Sequence, residues 1–120
     1  MERALRHERV INPVVRLSDG AKAIEYFNRI DHAVGPGAAV PSVLFLDLKL
    51  PGFNGFEILA DIKSRQTFSN ALKIVFSSLQ STEEIKRAYA AGAQSFLAKP
   101  VNAQDLHELI ITFPDYWLLR

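Results

Sequence analysis

Apolar residues along this chain fall into two alternating patterns: short continuous runs, and longer stretches at helical spacing. Residues 14–17 (VVRL), 42–46 (SVLFL), 72–76 (LKIVF) and 95–98 (SFLA) read as strands, the second and third as strands buried on both faces. Between them, Ala21, Ile24, Tyr26 and Phe27 share a helical face, and Phe56, Ile58, Leu59 and Ile62 form a second stripe that runs out near Arg65. Ser81 and Thr82, followed by Glu84 and Ile85, open a capped helix that closes at Ala91 and Gly92, where glycine can take the left-handed conformation. Asn102 N-caps a last helix to about Thr112, with Leu106, Leu109 and Ile110 on its buried face, and Pro114 stops it. Residues 2–9 read as a short helix ending before Asn12 and Pro13, with Leu5 and Val10 turned inward. Residues 31–41 read as a loop and 51–55 as a turn, because both are rich in glycine and proline.

Buried strands alternating with amphipathic helices predict a parallel sheet covered on both faces, since parallel strands need crossover connections that helices supply. With 120 residues, 48% of them hydrophobic, the chain predicts one domain around one core over residues 1–120, with an aromatic tail at 113–120. Charged residues make up 22% and the net charge is +1, so no polybasic footprint points to nucleic acid. The absence of cysteine excludes disulfides and thiolate chemistry. The polar N-terminus lacks a signal core, and no apolar run approaches the roughly 20 residues of a membrane span. These features predict a soluble, cytoplasmic protein that makes no membrane contact.

Ligands of open parallel sheets bind outside the carboxyl ends of the strands, where this sequence places Asp47, Ser77 and Lys99. A carboxylate nucleophile, a hydroxyl donor and an ammonium clamp at one rim suit phosphoryl transfer through an acyl phosphate. Taken singly, each residue also has an ordinary reading: a turn-starting aspartate, a turn hydroxyl, a solvated lysine. Their joint spacing carries the inference.

The segment from Phe45 to Gly55 (FLDLKLPGFNG), with Ser77 and Ser78, Lys99 and Pro100, and Ala91-Gly92-Ala93 before the last strand, resembles the receiver domain of bacterial response regulators. That resemblance implies a flavodoxin-like (CheY-like) doubly wound parallel sheet. It also implies phosphorylation of Asp47 by a sensor histidine kinase in a two-component system, with Ser77 and Lys99 contacting the phosphate and Phe96 as an aromatic switch. Phe96 reads equally as core. Mg2+ is the implied cofactor, held by Asp47 and the Lys49 backbone carbonyl. Residues 46–51 (LDLKLP) and 115–118 (DYWL) look most similar to single-domain regulators of bacterial phytochrome kinases. Output is then expected through protein contact.

Receivers ordinarily begin with an apolar strand ending in an acidic pair that completes the metal site, and nothing before Val14 matches it. The first, central strand is therefore expected to be missing, either through a misassigned start or natively. Its neighbours must then close on each other, pair with a second copy as a homodimer, or stay exposed with low stability. A magnesium site built from Asp47 and one carbonyl is expected to be weak. Two other function classes compete. One is a phosphorylation-independent interaction or dimerisation module, motivated by the absent acidic pair and by Tyr116 and Trp117 as candidate interface anchors. The other, a flavodoxin-like enzyme, lacks a Gly-rich phosphate loop. His7, His32 and His107 are scattered without ligand spacing and read as surface or packing residues.

Overall fold

The computed structural model describes residues 2–11, 14–17, 19–32, 40–50, 53–78 and 81–119. Its strands are β1 (Val14–Leu17), β2 (Val43–Asp47), β3 (Lys49–Leu50), β4 (Phe53–Asn54), β5 (Leu72–Ser77) and β6 (Ser95–Ala98). Its helices are α1 (Glu2–His7), α2 (Gly20–Asp31), α3 (Gly55–Lys63), α4 (Thr82–Ala90) and α5 (Ala103–Thr112). β1, β2, β5 and β6 form a parallel sheet in that spatial order, while β3 and β4 make a small antiparallel ribbon. The ribbon was not anticipated. Of the expected turn around it, Pro51 and Gly52 lie outside the described residues, as do residues 33–39 of the expected loop.

Alternation within β2 explains why its run is apolar throughout. Leu44 and Leu46 join Val75 on one side, packed by Ala23 and Phe27 of α2, Ile58, Leu59 and Ile62 of α3, and Ala88 of α4. Val43 and Phe45 face the other side with Leu72, Ile74 and Phe76, against Ala4 of α1, Leu106, Leu109 and Ile110 of α5, and Trp117. Each such side chain contributes about 1.5–3 kcal/mol on burial, so covering both faces holds β2 at the centre. The sheet is doubly wound, as expected.

Among the described residues no strand separates β1 from β2. The two pair directly, from Val14 beside Val43 to Leu17 beside Leu46. The expected gap is thus closed by its own edges.

Local chemistry fixes the helix starts. Ser81 and Asn102 cap α4 and α5 as expected, accepting from the Glu84 and Asp105 amides at 3.1 and 2.8 Å. Asp19 and Asn54 do the same for α2 and α3, accepting from Lys22 and Phe56 at 3.0 and 2.8 Å. Gly92 follows α4 with φ of 113°, the left-handed conformation read from the sequence.

Three burial expectations change. In α2 the buried positions are Gly20, Ala23 and Phe27, whereas Ala21 is exposed, one step off the face. Ala4 is the buried contact of α1, with Leu5 and Val10 only half-buried. Trp117 is core, 7% exposed beneath α1 and α5, because the chain after Pro114 folds back and Val10 bridges Leu119. That overturns its reading as an interface anchor; Tyr116 is half-buried against the same cluster.

Candidate functional site

Parallel pairing brings the carboxyl ends of β2, β5 and β6 side by side. Asp47 lies beside Phe76, and Ser77 beside Ala98, in register. The ends are tied together beyond the strands: the Leu48 amide donates to the Phe76 carbonyl at 3.3 Å, and the Lys99 amide to the Ser77 carbonyl at 2.9 Å. Asp47 and Ser77 are the buried polar residues of the described chain, 8% and 1% exposed. The Lys99 ammonium donates to the Asp47 carboxylate.

The structure therefore gathers Asp47, Ser77 and Lys99 at one rim. A carboxylate here sits on an apolar floor with a cation at its edge and presents an oxygen that can act as a nucleophile. Phe96 is half-buried on β6 and packs with Val75 and the helices of the opposite layer, away from the Phe76 face. Lys49 contributes its backbone to the β3–β4 ribbon immediately after the site. Gly55 closes that segment: its amide donates to the Leu48 carbonyl at 3.0 Å, and a Cβ at this position would sit 2.6 Å from Leu48 Cα.

The expected metal ligands do not by themselves fit a divalent cation. No cluster of three His, Asp or Glu side chains suited to a metal occurs among the described residues, and the one carboxylate at the rim is engaged by Lys99. Magnesium takes near-octahedral oxygen coordination, so one carboxylate and one carbonyl leave most of its shell to water.

Sequence reasoning missed Arg16. Its guanidinium stacks on the Phe76 ring, 5.3 Å from the centroid, and Lys99 Nζ lies 5.0 Å from the same centroid. An arginine flanked by Val15 and Leu17 was the available signal, because alternation places it on the opposite sheet face from its apolar neighbours. Also missed was the meeting of His7 and His107 at Glu8, with Nδ1 to carboxylate distances of 3.0 and 2.6 Å. Glu8 and His107 are 99 residues apart in sequence, beyond the reach of any spacing rule.

A parallel doubly wound sheet with these three polar strand ends is a receiver-like architecture. The chain belongs to the response regulator receiver domain family, whose model matches residues 1–111. It is thus a receiver domain of the two-component signalling class, a family of signalling domains rather than enzymes in general. A curated relative, the probable methanogenesis regulatory protein FilR2 of Methanothrix harundinacea, is 31% identical over 102 residues; the match covers 85% of this chain and 64% of that protein. Among solved structures, the bacteriophytochrome response regulator RtBRR superposes with a TM-score of 0.77 at 28% identity, over 98% of this chain and 70% of that one. The phosphorylated cyanobacterial phytochrome response regulator RcpA gives 0.68 at 25% identity, over 97% and 84%. Among the described residues no helix is long and apolar enough to cross a membrane.

Proposed function

We propose that this receiver accepts a phosphoryl group on Asp47 from a sensor histidine kinase and passes the signal on by protein contact. The observation that carries the reading is the Lys99 ammonium bonded to the buried Asp47 carboxylate at the rim where Ser77 also ends its strand. An Asp47 oxygen forms the new bond to phosphorus as the phosphorus–nitrogen bond of the donor phosphohistidine breaks, and the imidazole leaves with the electron pair. Lys99 offsets charge on the phosphoryl oxygens and the Ser77 hydroxyl donates to one of them. Phe96, half-buried on the neighbouring strand, repacks when Ser77 moves toward the phosphoryl group. Likeness to phytochrome response regulators supports a phytochrome-type kinase as partner, and membership of the receiver family supports the cytoplasm as the place of action.

The test is intact-mass spectrometry of the full chain after acetyl phosphate, with and without Mg2+. One phosphoryl adduct, lost in Asp47→Asn, is the expected result; no adduct under either condition would sink the proposal. A second reading, a phosphorylation-independent interaction module, is favoured by the absence, among the described residues, of a cluster of three side chains suited to a metal. It requires equal partner affinity for the wild type and Asp47→Ala.

A further inference from the structure

Arg16 is exposed on β1, beside Phe45 of β2 in register. Its guanidinium and the Lys99 ammonium stack over one ring, that of Phe76, at 5.3 and 5.0 Å from the centroid. Both cations line a single cavity of about 490 Å3, completed by Phe76, Ser78, Pro100 and Val101. Among the described residues no acidic side chain lines it. Asp47, the register partner of Phe76, bonds Lys99 from beside it. Arg16 and Lys99 thus both bring positive charge to this cavity, and Lys99 also bonds Asp47.

Direct pairing of β1 with β2 is what puts Arg16 there. A strand inserted between them would carry Arg16 about 4.8 Å farther from the Phe76 ring, one strand spacing. Stacking also occupies the flat face of the guanidinium, leaving the N–H groups at its edge to address a planar pair of oxygens.

We propose that this cavity is an oxyanion site in which Arg16 and Lys99 hold a phosphate-class ligand without a divalent cation. The ligand is free phosphate or the phosphoryl group on Asp47; the second source rests on the function proposed above. Arg16 then supplies part of the positive charge that a metal would otherwise bring to the phosphoryl oxygens.

The experiment titrates inorganic phosphate into the full chain in EDTA, following the amide NMR shifts of Phe76, Ser78 and Val101. Saturable shifts are expected, weakened about tenfold or more by Arg16→Gln, the loss of a charge-assisted hydrogen-bonding partner. Arg16→Lys should retain more affinity than Arg16→Gln, and Mg2+ should tighten binding little. The absence of saturation in EDTA, or equal affinity for Arg16→Gln, overturns the proposal. If Arg16→Gln loses the dispersed amide spectrum of the fold, the wild-type EDTA titration and Arg16→Lys decide.

A parallel acetyl phosphate reaction separates this inference from the one beneath it. An Asp47 adduct that forms only with Mg2+, equally in the wild type and Arg16→Gln, overturns the metal-independent role of Arg16 and leaves Asp47 as acceptor. Phosphate binding that depends on Arg16, with no adduct under any condition, upholds the oxyanion site and removes the acceptor.

Discussion

Lys99, at the end of β6, donates to the carboxylate of Asp47, at the end of β2, across 52 residues of sequence. The two side chains differ in exposure, 32% for Lys99 against 11% for Asp47. Their removal should therefore be unequal. Lys99→Ala removes the cation bonded to a largely buried carboxylate and is expected to cost about 1–3 kcal/mol. Asp47→Ala leaves an ammonium on a flexible stem that can turn to water, and should cost less than about 1 kcal/mol. Urea unfolding of both variants would check this; the reverse order would contradict it.

Gly55 fixes the chain just after Asp47. An added Cβ would meet Leu48 Cα at 2.6 Å and its carbonyl oxygen at 2.7 Å, both backbone atoms that cannot swing aside. Gly55→Ala is expected to destabilise by about 1–3 kcal/mol, the usual range for overpacking. It should also perturb the amide resonances of Leu48 and Asp47. Gly92→Ala has a different cause: its nearest contact is a Lys63 side-chain atom at 3.6 Å, but φ of 113° strains any L side chain. An NMR spectrum undisturbed around Leu48 in Gly55→Ala would refute the steric argument.

The main parallel sheet and helix starts were legible because burial imposes them locally. The run ending at Asp47 has the pattern of a two-sided strand, and Ser81 and Asn102 announced their helices as side chains able to accept from the first amides. The rim residues were legible for the same reason, as polar groups ending apolar runs. Arg16 was not, because its meaning depends on which strand lies beside β1, and strand order is a tertiary property. The β3–β4 ribbon was too short for periodicity to register. Trp117 was misread because an aromatic after a helix stop packs inward only if the chain turns back, which the Val10–Leu119 bridge achieves through residues from both ends of the chain.

Trp117 yields a prediction that discriminates core from interface. Trp117→Ala should cost about 3–5 kcal/mol, the range for emptying a buried aromatic site. The indole Nε1 is buried without a hydrogen-bond partner among the described residues, so Trp117→Phe removes a desolvated donor along with some packing. The phenylalanine variant is expected to retain most of the stability, losing less than about 1.5 kcal/mol. Thermal melts of the two variants test this. Unchanged stability in Trp117→Ala would return the residue to the surface.

Glu8 joins α1 to α5 through its contacts with His7 and His107, and those contacts make stability depend on pH. The hydrogen bond from His107, followed by that from His7, holds the Glu8 carboxyl below its ordinary value of 4.5. A carboxyl whose folded pKa is depressed stabilises the fold fully above its unfolded value, and that contribution disappears as pH falls through the folded one. Asp31 is lowered as well, first by its hydrogen bond with Thr67, so the whole protein should weaken in acid. The contribution of Glu8 is isolated by comparison with Glu8→Gln, which has no proton to gain. Melting temperatures followed by circular dichroism from neutral pH downward should show the wild type ahead of Glu8→Gln near neutrality, with the gap closing as pH drops below about 4.5. A gap that stays constant across that range would mean that the Glu8 carboxylate contributes nothing through the two histidines.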